Sequence, residues 1–262
     1  MICSSQKEAL EELNKLASSN RQSILISGPS GSGKSYLSQQ YANMLGIDDY
    51  SVISPKVTEI REALDACLTI TNPVMLEIHN LDTGVAAASY TLLKSLEEPL
   101  PHVYIIITCR NADHVPDTII SRSAVVNIGP PTNNDIDAYG KEKDTLKFNN
   151  VASRLVWQCV RSFSDADSVL EMTPDEINYY ESLSEVCKFK DSVSNIIWKL
   201  GHYDSPGNKE CNLELAIRSI AELMDNPFIT KCAIECIRDL EKQRIAQHAV
   251  LAKFVFNAKF CE

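Results

Sequence analysis

Apolar residues fall in short runs separated by helical spacings along the first half of the chain, and in helical spacings alone along the second. Leu10, Leu13 and Leu16 recur at three-residue steps and predict a leading helix over 6–19. Five runs predict strands: Ser23–Ser27, Tyr50–Ser54, Val74–Ile78, Val103–Thr108 and Ala124–Ile128. The fourth is apolar throughout, as expected for a strand covered on both faces. Between the runs, Leu37, Tyr41, Met44 and Leu45 predict a helix ended by Gly46, and Val57, Ile60, Ala63, Leu64 and Cys67 predict another, broken by Asn72-Pro73. A third helix is expected from Thr83 to Glu98, stopped by Pro99. Strands alternating with helices predict an α/β fold with a parallel sheet and right-handed crossovers.

The turn-rich stretch Gly129-Pro130-Pro131-Thr132-Asn133-Asn134 marks a boundary, and only helical patterns follow. Val151 to Val160 reads as one helix and Asp165 to Met172 as another. Thr173-Pro174-Asp175-Glu176 reads as an N-cap, a proline at the first helical position and acids in the first turn. Residues 201–212 are polar and turn-rich, and Asn226-Pro227 opens a further helix. Ile234, Ile237, Ile245, Val250, Leu251, Phe254 and Val255 supply apolar surface for a terminal bundle. The division expected is an α/β domain over 1–130, a helical domain over 131–188 and a second helical domain over 189–262.

The chemistry concentrates after the first strand. Gly28-Pro29-Ser30-Gly31-Ser32-Gly33-Lys34-Ser35 fits the phosphate-binding loop G-x-x-x-x-G-K-[ST], in its required place between a strand and a helix. Glycines let backbone N–H groups turn inward around phosphate oxygens, and the helix N-terminus adds partial positive charge. Lys34 is expected at the β- and γ-phosphates of ATP and the Ser35 hydroxyl on Mg²⁺. An ATPase of this kind also carries an acidic pair at the end of a neighbouring strand. Here that strand runs Val74-Met75-Leu76-Glu77-Ile78-His79-Asn80-Leu81-Asp82, with His79 and Asn80 where the acids are expected. Imidazole and amide can orient a water but bring no carboxylate charge. Glu77 and Asp82 are the nearby acids that could serve the metal; Asp82 also reads as a cap for the following helix. The sequence therefore argues for phosphate binding more strongly than for hydrolysis.

Charge and cysteine content narrow the setting. The net charge of −10 argues against a protein that grips nucleic acid alone through a broad basic surface. The nine cysteines form no C-x-x-C pair, which suits reduced, buried thiols in a cytoplasmic protein better than a zinc module. No run reaches the ~20 apolar residues of a membrane span, and the start lacks the apolar stretch of a signal peptide.

Leu92-Leu93-Lys94-Ser95-Leu96-Glu97-Glu98-Pro99 resembles the LLKxLEEP segment of sliding-clamp loader subunits, the AAA+ proteins of DNA replication. Ile60-Arg61-Glu62-Ala63-Leu64 is similar to their IRxL helix, Ile105–Thr108 to their sensor-1 strand, and Thr118-Ile119-Ile120-Ser121-Arg122-Ser123 to their TIxSRC segment, with serine for cysteine. The combination in this order resembles the bacterial delta-prime and gamma subunits and the small phage subunits. The resemblance implies an AAA+ domain, a helical lid and a helical collar. It implies ATP and Mg²⁺ as cofactors, and other loader subunits, a sliding clamp and primer–template DNA as partners. Arg122 would act in trans on a neighbour's γ-phosphate, its plainer reading being a surface arginine in a local ion pair. Thr108, or Asn111 beyond it, would sense the γ-phosphate. The lid arginine of the family is expected near Ser164-Asp165-Ala166-Asp167, where Asp167 stands instead, and the KYRP box is missing. Lys56 and Arg61 are the candidates for DNA contact. An intact loop with an altered catalytic half resembles a stator-like subunit with little turnover of its own. A purely structural ATP-bound subunit and an independent P-loop nucleotide kinase are the other readings; the arginines scattered among acids after residue 130 disfavour the kinase.

Overall fold

The computed structural model describes residues 3–178, 180, 213–241 and 247–260. Strands β1 (Ser23–Ser27), β2 (Asp49–Ile53), β3 (Val74–Ile78), β4 (Val103–Cys109) and β5 (Ala124–Asn127) form one parallel sheet in the order β2-β3-β4-β1-β5. Helices α1 (Lys7–Ser18), α2 (Lys34–Leu45), α3 (Val57–Cys67) and α4 (Ala86–Glu97) alternate with the strands, and the short α5 (Asp117–Ile120) precedes β5.

Period-two alternation sorts the strand residues between two cores. Leu25, Leu76, Ile78, Ile105 and Ile107 pack with Ile60 of α3 and with Ala88, Leu92 and Leu96 of α4. Ile24, Ile26, Met75, Tyr104 and Ile106 pack with Ala9 and Leu13 of α1 and with Leu37, Tyr41 and Ala42 of α2. Each fully buried aliphatic side chain contributes about 1.5–3 kcal/mol. Continuing the alternation toward the C-terminal ends of β3 and β4 places Glu77 and Thr108 on the second face. Both are fully buried, so the sheet's polar groups gather at that edge.

The chain divides into two compact units, one comprising 1–139 with 162–164 and the other 140–161 with 165–262. In the first, α6 (Asn133–Lys143) begins with a reciprocal cap: the Asp135 amide donates to Thr132 Oγ1 at 3.2 Å, and the Thr132 amide and hydroxyl donate to Asp135 Oδ2 at 3.0 and 2.7 Å. Asp135 also accepts from the Ser4 amide at 2.7 Å and the Ser4 hydroxyl at 2.9 Å, which ties the N-terminal turn Ser4–Gln6 to this helix.

The second unit is helical. The helix expected over 151–160 is two, α7 (Thr145–Val151) and α8 (Leu155–Gln158), separated by Ala152-Ser153-Arg154. Phe148 meets Trp157 edge-on at 5.2 Å across that break, which folds the chain back on an aromatic contact. α9 spans Phe163–Glu171. Thr173 caps the turn beginning at Pro174: its amide and hydroxyl donate to the Glu176 carboxylate at 2.7 and 2.9 Å. α10 (Leu213–Met224), α11 (Pro227–Glu241) and α12 (Gln247–Phe260) pack in succession, burying Leu215, Ile217, Ile220, Ile229, Cys232, Cys236, Val250, Phe254 and Val255. Ile234, expected in this core, is exposed, because Cys232, Ala233 and Cys236 occupy the inward stripe of α11. Ile245 and residues 201–212 lie outside the described residues. The helix expected from Thr83 starts later: Leu81–Thr83 is a 3₁₀ turn and α4 begins at Ala86.

Asp135 supplies a pH test. Burial raises its pKa, but the hydrogen bonds from Thr132 and Ser4 outweigh burial and lower it from 3.8 to about 2. A depressed carboxyl stabilises the fold fully above its unfolded pKa, and that contribution is lost as pH falls through the folded one. Asp135→Asn is therefore expected to cost about 1–2 kcal/mol at pH 7 and clearly less at pH 3. Urea unfolding of both proteins at the two pH values measures this.

Candidate nucleotide site

The loop between β1 and α2 leaves the sheet at its C-terminal edge, where open α/β sheets bind ligands. Gly31 and Gly33 have φ of +66° and +93°, and Gly33 is the N-cap of α2. These left-handed conformations let a tight loop present its backbone, and side chains rarely adopt them. A Cβ at position 33 would lie 2.3 Å from Gln6 Nε2, so a side chain there would also displace Gln6.

Lys34 is buried, and its ammonium donates to the carbonyls of Gly28 and Pro29, both at 2.8 Å. Burial pulls its pKa below the ordinary lysine value; Cys109, Asp82 and Glu77 act the other way. The Ser35 hydroxyl donates to Glu77 Oε1 at 2.7 Å. Tyr50 of β2 donates its hydroxyl to Glu77 Oε2, and His79 Nδ1 lies 3.1 Å from Oε1. Burial, and then the hydrogen bond to Glu77, push the Tyr50 phenol far above its usual value. Glu77 is thus a fully buried carboxylate held by three side chains directly beneath the start of α2.

His79 and Asn80 occupy the turn after β3. The His79 side chain is 42% exposed. Asn80 takes a left-handed conformation, φ +49°, and its amide donates to Thr108 Oγ1 at 2.9 Å. Thr108 is therefore joined to the β3 turn. Asn111, the other residue considered for sensing, accepts from the Asp113 amide at 3.0 Å and caps a short turn.

Asp82 does not cap α4, whose N-cap is Val85 without a side-chain hydrogen bond. The one-turn 3₁₀ segment draws Asp82 inward instead: its side chain is 2% exposed, and Arg110 Nε donates to Oδ2 at 3.4 Å. Oδ1 has no hydrogen-bond partner among the described residues. Arg122, just beyond α5, pairs with Glu97 at 2.6 Å and donates to the Thr118 carbonyl at 2.8 Å. Asp167 pairs with Lys143, and Lys56 pairs with Glu59 at 2.8 Å. Loop, Lys34, Ser35, Glu77, His79, Asn80 and Thr108 share the sheet's C-terminal edge.

Three contributors were not singled out in the sequence. Gln6 touches the loop through its side chain, Phe163 donates its amide to the Gly31 carbonyl at 2.9 Å, and Tyr50 holds Glu77. Tyr50 was legible as a strand residue only; its register opposite Met75 puts it on the face that Glu77 shares. Gln6 and Phe163 reach the loop across tertiary distances that no local pattern encodes.

The loop joins β1, an inner strand of the five-stranded parallel sheet flanked by β4 and β5, to α2, and solved structures share this fold. A gamma-subunit-related protein of DNA polymerase III from Thermotoga maritima superposes with a TM-score of 0.56 at 14% identity, over 96% of this chain and 98% of that one. A point mutant of RuvB from the same organism gives 0.52 at 14% identity, over 90% and 82%. These likenesses establish the fold. A narrower likeness comes from sequence. The family described as DNA polymerase III, delta subunit, matches residues 54–132. DNA polymerase III subunit gamma of Buchnera aphidicola is 31% identical over 86 residues, 32% of this chain and 23% of that protein. The match thus spans about a quarter of that relative's length. In part of its sequence and in its fold the chain is thus similar to subunits of DNA polymerase III. Among the described residues, no helix is long and apolar enough to cross a membrane.

The hold on Glu77 can be tested alone. Tyr50→Phe removes a donor from a buried carboxylate and is expected to cost about 1–3 kcal/mol. The double variant Tyr50→Phe with Glu77→Gln should recover part of that loss. Urea denaturation of the four proteins gives the coupling.

Proposed function

We propose that this chain is an ATP-binding subunit of a DNA polymerase III-type clamp loader, with weak hydrolysis at its own site and Arg122 acting on a neighbouring subunit. The observation that carries the reading is the family match over 54–132, which contains both the LLKSLEEP and the TIISRS segments. In this reading the α/β domain over 1–130 binds nucleotide. Residues 131–188 act as a lid, and 189–262 as the collar that joins it to other subunits. Those subunits together open a sliding clamp and place it at primer–template DNA in the cytoplasm.

The loop residues Gly28 to Ser35 would cradle the phosphates, with Lys34 exchanging its two carbonyl partners for phosphate oxygens. The side chains fit Mg²⁺: the Ser35 hydroxyl already meets a buried carboxylate, Glu77, at 2.7 Å. Bound there, the metal would neutralise charge on the β- and γ-phosphates. Glu77 stands in for the metal-side acid from two positions earlier on β3, and Asp82 serves Arg110 instead. What has no replacement is the carboxylate that orients the attacking water. Asn80 holds that place with its backbone tied to Thr108 and carries no charge. Binding therefore outruns turnover. That same feature also favours the second reading, a subunit that holds ATP only structurally.

The decisive measurement is ATP binding and steady-state hydrolysis by the wild type and Lys34→Ala, alone and with primer–template DNA and partner subunits. Binding that depends on Lys34, with little turnover by the chain alone, is expected. Rapid DNA-independent hydrolysis by the isolated chain would overturn the reading. Arg122→Ala should leave the chain's own ATP affinity unchanged while lowering turnover of the assembled loader by at least about 10-fold, since an arginine supplied in trans can be worth 10³ or more. An unchanged assembled rate would remove the role given to Arg122, and no turnover even in the wild-type assembly would favour the structural reading.

A further inference from the structure

The carbonyls of the phosphate loop are engaged both from within it and from outside it. Lys34 Nζ takes those of Gly28 and Pro29, and the Ser32 hydroxyl also donates to Pro29 O at 2.8 Å. The Phe163 amide takes Gly31 O at 2.9 Å, and Gln6 Nε2 takes Ser32 O at 3.2 Å. Gln6 is the most constrained of these donors. It is 3% exposed, and its Oε1 faces the Cys3 amide at 3.5 Å in a capping arrangement. With oxygen assigned to one N–H and nitrogen to one carbonyl, neither amide orientation is left open. The turn that carries Gln6 is fastened by Ser4 to Asp135.

A trans peptide points its C=O and N–H in opposite directions. Holding Ser32 O toward Gln6 therefore aims the Gly33 N–H the other way, away from Gln6 and free for a phosphate oxygen that such a loop would bind. Gln6 also packs beside the bare α-carbon of Gly33, where a Cβ would lie 2.3 Å from its Nε2. We propose that Gln6 is a positioning residue of the phosphate site. It presets the Ser32–Gly33 peptide for a nucleoside polyphosphate, and Asp135 supports it through Ser4. The ligand class is recognised through its phosphates alone; base and sugar play no part in this contact. The inference rests on the nucleotide-binding reading above.

The test uses the full chain and two probes, a fluorescent ADP measured directly and inorganic tripolyphosphate competing against it. Gln6→Ala removes the hydrogen bond; Gln6→Met removes it while keeping length and packing, which guards against a variant that fails to fold. Loss of one hydrogen bond should weaken both probes by about 3- to 10-fold and by the same factor. Asp135→Asn should produce a smaller loss of the same kind. Hydrogen exchange at amides 3–7 should slow when ADP is bound. Equal affinity of the wild type and both Gln6 variants overturns the proposal while leaving nucleotide binding intact. A loss seen with ADP but not with tripolyphosphate also overturns it, because Gln6 would then serve the base. A wild type that binds neither probe overturns both readings.

Discussion

A parallel sheet covered on both faces must keep its polar groups at its ends. This constraint organises the α/β unit. Charge or hydrogen-bonding capacity inside the sheet would be expensive unless matched, and the buried polar side chains near the C-terminal strand ends are matched by neighbours: Ser27 accepts from the Ala112 amide. Glu77 has Ser35, Tyr50 and His79; Thr108 has the Asn80 amide. Because the strands are parallel, all of these groups arrive at one edge, which is also where β1 releases the glycine loop and α2 begins. The apolar pattern that builds the core thereby assembles the site as well.

The edge shows how an altered acidic pair can coexist with a complete loop. The electrostatic demand at a phosphate–metal site is for negative charge beside the Ser35 hydroxyl, and in the proposed reading Glu77 would meet it from two residues upstream of His79, on the same face by strand alternation. The later positions are then released from carrying charge. Asn80 instead makes a sharp left-handed turn, a conformation asparagine tolerates better than most residues. That turn leads directly into the 3₁₀ segment that buries Asp82 against Arg110.

Strands and the loop were legible because their signals are local. An apolar run of five residues between turn signals has few alternatives, and the glycine spacing is tied to one conformation. Helix limits in the second half were less legible. Nothing in Ala152-Ser153-Arg154 forbids helix; the break between α7 and α8 is imposed by Phe148 against Trp157, a tertiary contact. The start of α6 did carry a readable sign, Thr132 with Asp135 three residues on, which is a capping box masked by the neighbouring prolines and asparagines. Asp82 had the composition of a cap but is one turn too early, and Glu77 could be placed on the correct face though its three partners could not. Gln6 lay beyond such reading altogether, since its partner is a carbonyl 26 residues away.

Arg122 presents two facts that pull in different directions: its segment resembles one that serves a neighbouring subunit, yet its guanidinium is engaged at home with Glu97. Magnitudes reconcile them. Both side chains are part-exposed, 33% and 49%, and an ion pair at such a site is generally worth about 0–1 kcal/mol because water and salt screen it. A guanidinium offered to a polyphosphate at a closed interface meets several charged oxygens in a drier setting, where charge-assisted bonds are stronger. Exchanging Glu97 for such a partner is favourable without any change of fold. Glu97 itself lies in the last turn of α4, inside the LLKSLEEP segment, so the two segments that most resemble loader subunits are physically joined. The local pair with Glu97 leaves Arg122 part-exposed, so it does not conflict with the action in trans proposed for it.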